Sequence, residues 1–162
     1  MSVVVRPGKH LLITGNSGTG KSSLLRALAG LWTCGTGEVT RPLTADTMFL
    51  PQRPYCTLGS LRSQLVYPAP VEESAVSDEV MLRALRQVRL DWLGDARGGL
   101  DAVRDWGDEL SLGEQQRLAF ARVLVARPRL CVLDEATSAL DLANEAAMYG
   151  ALAAVPGLTY VS

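Results

Sequence analysis

The chain has 162 residues, 48% of them hydrophobic, and a formal net charge of −1. That is enough for one domain with an ordinary core, and it offers no basic field to draw nucleic acid. No apolar run approaches the roughly 18 residues of a membrane span, and the opening MSVVVRPGKH is not expected to be a signal peptide.

From the start, the β-branched run at residues 3–5 predicts a strand, Arg6-Pro7-Gly8-Lys9 a turn, and residues 10–14 a second strand. Residues 21–31 predict a helix with Leu24, Leu25, Leu28 and Leu31 on one face. A short strand is expected at 46–50, stopped by Pro51, then an irregular stretch from 54 to 73 with a short helix near 61–66. Ser77 or Asp78 caps a helix carrying Val80, Met81, Leu85 and Val88. Residues 94–110, rich in Gly and Asp, read as a loop. Ser111 opens a helix to about Ala126, closed by Pro128. A buried strand at 130–133, a helix at 141–154 and a strand at 158–161 complete the chain. This alternation predicts an α/β fold with a mostly parallel sheet flanked by helices. The cysteines, Cys34, Cys56 and Cys131, form no CxxC pair and read as reduced thiols, Cys131 as a small core residue. His10, beside a strand, carries no catalytic expectation.

Gly15-Asn16-Ser17-Gly18-Thr19-Gly20-Lys21-Ser22 fits G-x-x-x-x-G-K-[ST]. Glycines let successive N–H groups point at phosphate oxygens, and the helix that follows presents its positive end to the same anion. Lys21 can reach the β- and γ-phosphates, and the Ser22 hydroxyl can ligate Mg²⁺. The expected ligands are therefore ATP and Mg²⁺, with residues 15–22 and the adjoining Ser23 as the binding segment. Leu130-Cys131-Val132-Leu133-Asp134-Glu135 is an apolar strand ending in two acids. Taken alone it is as readily a solvated strand end. Beside the phosphate loop, Asp134 reads as a Mg²⁺ holder and Glu135 as the group that polarises the attacking water. Ser111 and Glu114 form an S-x-x-E capping box, and the capped helix start is also an anion-binding surface.

The run Leu110-Ser111-Leu112-Gly113-Glu114-Gln115-Gln116-Arg117 resembles the signature of the ATP-binding cassette (ABC) family. In that family the signature of one subunit meets the γ-phosphate held by the phosphate loop of a second. Gln52, in Phe49-Leu50-Pro51-Gln52-Arg53-Pro54-Tyr55, resembles the Q-loop glutamine, which implies contact with Mg²⁺ and the attacking water. Ser138-Ala139-Leu140-Asp141 resembles the D-loop, which crosses the dimer interface. The resemblance implies a phosphate-loop NTPase with catalytic residues Glu135 and Gln52, metal residues Ser22, Gln52 and Asp134, and residues acting in trans: Ser111, Gly113, Glu114 and Asp141. It further implies a catalytic core at 1–54 and 127–162 and a helical subdomain at about 55–126.

Leu28-Ala29-Gly30-Leu31-Trp32, Gly59-Ser60-Leu61-Arg62 and Asp105-Trp106 resemble subfamily D, half-transporters of peroxisomal, lysosomal and plastid membranes with bacterial permease-fused relatives. Residues 110–122 with Leu142-Ala143-Asn144-Glu145-Ala146 look nearest to the plastid and bacterial branch. Leu112 and Glu114 depart from the usual signature, whereas Ser111 and Gly113 are retained. The family's switch histidine, adenine-stacking aromatic and N-terminal β-subdomain have no counterpart here, so a cassette truncated at both ends is expected. The implied function is the ATP-hydrolysing motor of a membrane transporter. Its implied partners are a second cassette and a transmembrane domain upstream on the same chain, with no nucleic acid. The implied location is the cytosolic or stromal side of an organelle membrane or a bacterial inner membrane. A soluble ABC-type ATPase is the alternative. The isolated chain is expected to bind nucleotide and to be weakly active or inactive.

Overall fold

The computed structural model describes residues 2–33, 35–96 and 98–162; Cys34, read above as a thiol, lies outside them. In chain order the elements are α1 (Lys21–Leu28), β1 (Thr47–Leu50), β2 (Leu58–Ser60), α2 (Leu61–Val66), α3 (Asp78–Gln87) and α4 (Asp91–Asp95). They continue with β3 (Val103–Asp105), α5 (Trp106–Glu109), α6 (Leu112–Ala126), β4 (Leu130–Leu133), α7 (Leu142–Ala153) and β5 (Thr159–Val161).

The main sheet runs β1-β4-β5, every pair parallel. Residues 10–14 lie along its free edge: Leu11 bridges Val161, and the Ile13 N–H donates to the Ser162 carbonyl at 2.7 Å. All four segments therefore end on the same side, where open parallel sheets place their ligands. Every residue of β4 is buried, as expected for a strand covered on both faces. Its side chains alternate. Cys131 and Leu133 enter a large core with α2, α3, α6 and α7, while Leu130 and Val132 meet Leu25 and Ala29 on the other face.

The large core is organised by α6, buried along most of its length. Ser111 and Glu114 make the expected capping box, and the helix ends at Arg127 in a left-handed conformation. Arg122, inside the core, donates to the carbonyls of Gln64 at 2.7 Å and Tyr55 at 2.8 Å, tying residues 55–64 to α6.

Several expectations need correction. Residues 3–5 form no strand; Val4 is 90% exposed, so its β-branched side chain has no partner to pack against. The helix expected over 21–31 stops at Leu28, because Gly30 turns left-handed with φ +78° and has the Arg41 guanidinium against it. Leu31 then lies outside the helix, 64% exposed. Residues 94–110 are not a plain loop. They hold β3, paired antiparallel with β2, and α5, capped by Asp105. The Trp106 indole N–H donates to the Gly59 carbonyl at 2.9 Å and anchors this pair.

Candidate functional site

The phosphate loop leaves the edge segment and turns through Gly18 (φ +79°) and Gly20 (φ +90°), conformations that side-chain-bearing residues resist. Nothing lies within 4 Å of a Cβ built at either glycine, so the cradle is open. Asn16 accepts from the Thr19 hydroxyl at 2.8 Å, which holds the loop curled; Gly15, Asn16, Ser17, Gly18, Thr19 and Gly20 are all exposed. Gly20 caps α1 without a side-chain partner, which leaves that helix's first N–H groups facing out. Lys21 folds back over the loop, its Nζ donating to the Gly15 carbonyl at 2.8 Å and the Asn16 carbonyl at 3.0 Å. Ser23 is exposed on the first turn.

One residue beyond Lys21, the Ser22 hydroxyl donates to Asp134 Oδ1 at 2.6 Å, across 112 residues of sequence. Asp134 is only 5% exposed, at the end of β4, where its own N–H donates to the Leu50 carbonyl at 2.9 Å. Arg26 stands 3.7 Å from its other oxygen. Glu135 follows at φ 51°, a strained backbone for a glutamate and a type of strain that clusters at active sites. Gln52, just past β1, donates from Nε2 to Glu135 Oε2 at 3.0 Å. The sheet thus gathers Ser22 with Asp134, and Gln52 with Glu135, next to the open loop. The oxygen donors Ser22, Asp134 and Gln52 are the hard ligand type that Mg²⁺ takes.

The signature residues sit elsewhere on the same chain. Glu114 Oε2 accepts from the Ser111 N–H at 2.9 Å and from its hydroxyl at 2.6 Å. Gly113 packs on the following loop: a Cβ there would come within 3.1 Å of the Ala139 carbonyl. Asp141 caps α7, and the Asn144 N–H at 2.7 Å holds its carboxyl below the ordinary value. Among the described residues, neither Ser111, Gly113, Glu114 nor Asp141 hydrogen-bonds the phosphate loop. Two nearby residues escaped the sequence reading. Arg26 lies one helical turn beyond Ser22. Gln116 is wholly buried; a glutamine in step with Phe120 and Val123 on a buried helix face was the available signal. His10 stacks flat on Tyr160, ring centroids 3.8 Å apart, as a packing residue.

The ABC transporter family model matches residues 1–138. The whole chain is 54% identical to an uncharacterized ABC transporter ATP-binding protein of Synechocystis, of which it covers 24%. It is 44% identical to the chloroplastic ABC transporter D family member 2 of Arabidopsis thaliana, of which it covers 29%. A bacterial Atm1-family ABC exporter with ATP bound superposes with a TM-score of 0.80 at 28% identity, over 96% of this chain and 29% of that one. The chain therefore spans about a quarter of the length of the relatives it matches. The parallel sheet, the loop at its carboxyl edge and the signature helix beneath it agree with those matches, and the chain belongs to the ABC transporter family, resembling its subfamily D.

Proposed function

We propose that the chain is the ATP-binding and ATP-hydrolysing motor cassette of a membrane transporter. The carrying observation is the convergence of Ser22 with Asp134 and of Gln52 with Glu135 beside an open glycine-rich loop. The N–H groups of residues 15–22 and the start of α1 would hold the phosphates, with Lys21 exchanging its carbonyl partners for β- and γ-oxygens. Ser22, Asp134 and Gln52 would hold Mg²⁺, whose charge neutralises the phosphate oxygens. Glu135, oriented by Gln52, would accept a hydrogen bond from the attacking water and align it with the γ-phosphorus. Catalysis on this reading is positioning and charge stabilisation.

The placement of Ser111 and Gly113 away from their own loop supports a site shared between two copies. Each site would take its phosphate loop, Asp134, Glu135 and Gln52 from one chain. Ser111, Gly113 and Glu114 would come from the other, with Asp141 at the boundary. Residues 1–54 and 127–162 would form the catalytic core and about 55–126 the helical subdomain. A single copy holds half of each site, so the isolated chain is expected to bind nucleotide and turn it over weakly. Among the described residues no helix is long and apolar enough to cross a membrane. Attachment to an organelle or bacterial inner membrane would come through a transmembrane domain of the longer protein. In that full-length protein, Glu135→Gln should retain ATP binding and lower turnover about 10²- to 10⁴-fold; normal turnover would overturn the assignment of Glu135.

A further inference from the structure

We propose that Gln116 is a positioning residue that makes the signature helix, the loop after Glu135 and the end of β1 behave as one unit. A phosphate engaged by the signature face would then set the geometry of Gln52 and Glu135 on the same chain. This rests on the reading of the chain as a nucleotide-hydrolysing cassette.

Gln116 has no exposed surface, and its amide is fully used. Nε2 donates to the Gln52 carbonyl at 2.8 Å and to the Ser138 hydroxyl at 3.1 Å, while Oε1 accepts from the Ala139 N–H at 3.0 Å. Both amide hydrogens and the carbonyl oxygen have partners, so the side chain has one orientation. Its three partners belong to two segments far from it in sequence, both of which carry residues of the site. The Gln52 backbone is held by Gln116 while the Gln52 side chain reaches Glu135 at 3.0 Å. That gives a continuous path: α6, the Gln116 amide, the Gln52 backbone, the Gln52 side chain, the Glu135 carboxylate. A second strut lies one turn earlier on α6. Gly113 abuts Ala139, the residue whose N–H Gln116 accepts, and a Cβ at Gly113 would come within 3.1 Å of the Ala139 carbonyl. The helix start is itself fixed to Ser111 by the capping box. Displacement of Ser111 or Gly113 by a phosphate therefore has a path through the hydrogen bonds of the buried Gln116 side chain to the residue that orients Glu135.

A purely architectural glutamine exists in the same chain for comparison. Gln64 is also wholly buried. It donates to the Thr57 carbonyl at 2.9 Å and accepts from the Thr57 N–H at 3.0 Å, making no bond to the site residues.

The test uses the full-length protein with Gln116→Leu, Gln116→Glu and Gln64→Leu. Gln116→Leu removes all three bonds; Gln116→Glu keeps an acceptor for Ala139 and loses the donors to the Gln52 carbonyl and the Ser138 hydroxyl. Both should lower kcat about 10- to 100-fold, the scale of a small misplacement of reacting groups, with nucleotide Kd within about threefold of wild type. ATP cooperativity should weaken, and hydrogen exchange should quicken together at residues 52–53 and 138–139. Gln64→Leu should lower Tm with kcat and exchange at those residues unchanged. The role of Gln116 is overturned if its variants lose only Tm, as Gln64→Leu does, with kcat and cooperativity intact. It is equally overturned if exchange stays slow at both segments. A wild-type protein without ATPase activity would sink the cassette reading instead, and the exchange measurement would still decide whether Gln116 couples the two segments.

Discussion

On one face of the sheet, β4 sends Cys131 and Leu133 into a core shared by α2, α3, α6 and α7; on the other, Leu130 and Val132 join a smaller cluster with Leu25, Ala29 and Val161, flanked by the partly buried Leu11, Ile13, Leu28 and Phe49. The thick side carries α6. The thin side carries α1 and the loop that would grip phosphate. Leu24 on α1 is 37% exposed, and Leu31 just beyond it 64%, so the apolar cover on this side is thinner. We expect stability to reside mainly on the thick side and nucleotide affinity on the thin side.

Substitutions can break that separation. The largest stability effect belongs to Leu118→Ala. Leu118 is 0% exposed within α6, so the cavity left should cost about 2–5 kcal/mol in a denaturant titration. Leu24→Ala, on the thin side, should cost under about 1 kcal/mol. Equal losses would show that the thin side supports the fold after all.

Lys21→Ala should do the opposite. It leaves Tm near wild type and weakens ATP binding about 10- to 100-fold in calorimetry, the scale of a charge-assisted contact. A large fall in Tm would mean that the loop is part of the core.

The smallest effect concerns Asp141. Its carboxyl is held below the usual 3.8 chiefly by the Asn144 N–H. A depressed carboxylate stabilises the fold above its unfolded value, and that contribution is lost as pH falls through the lower folded value. Asp141→Ala should flatten stability against pH on the acid side, below about pH 4, and leave the neutral-to-alkaline side unaltered in slope. An unchanged acid limb would remove the cap from the account.

The parts of the site that depend on short-range chemistry were legible in the sequence. The spacing of Gly15, Gly20, Lys21 and Ser22 states its own geometry, and Ser111 with Glu114 announces a capping box that is found as read. The strand at Leu130–Leu133 was visible as an apolar run bounded by Pro128 and Asp134. What escaped depended on distant partners. β3 is three residues long and exists because β2 lies beside it, pinned by Trp106 across 47 residues. The run at residues 3–5 failed for the reverse reason: strand-forming side chains with no strand beside them among the described residues. Gln116 and Arg26 were hidden because their roles lie in contacts with Gln52, Ala139 and Asp134, which no local pattern encodes. The end of α1 was missed because the Gly30 turn outweighs the leucine periodicity that favoured a longer helix.

The shared site is tested most directly by combining two lesions in one dimer of the full-length protein. Lys21→Ala in both chains, or Ser111→Ala in both, damages both sites. A dimer with Lys21→Ala in one chain and Ser111→Ala in the other gathers both lesions into a single site and leaves the second intact. The expected result is that this mixed dimer has higher ATPase activity than either parent variant. A mixed dimer as inactive as both parents would contradict a site built from two chains.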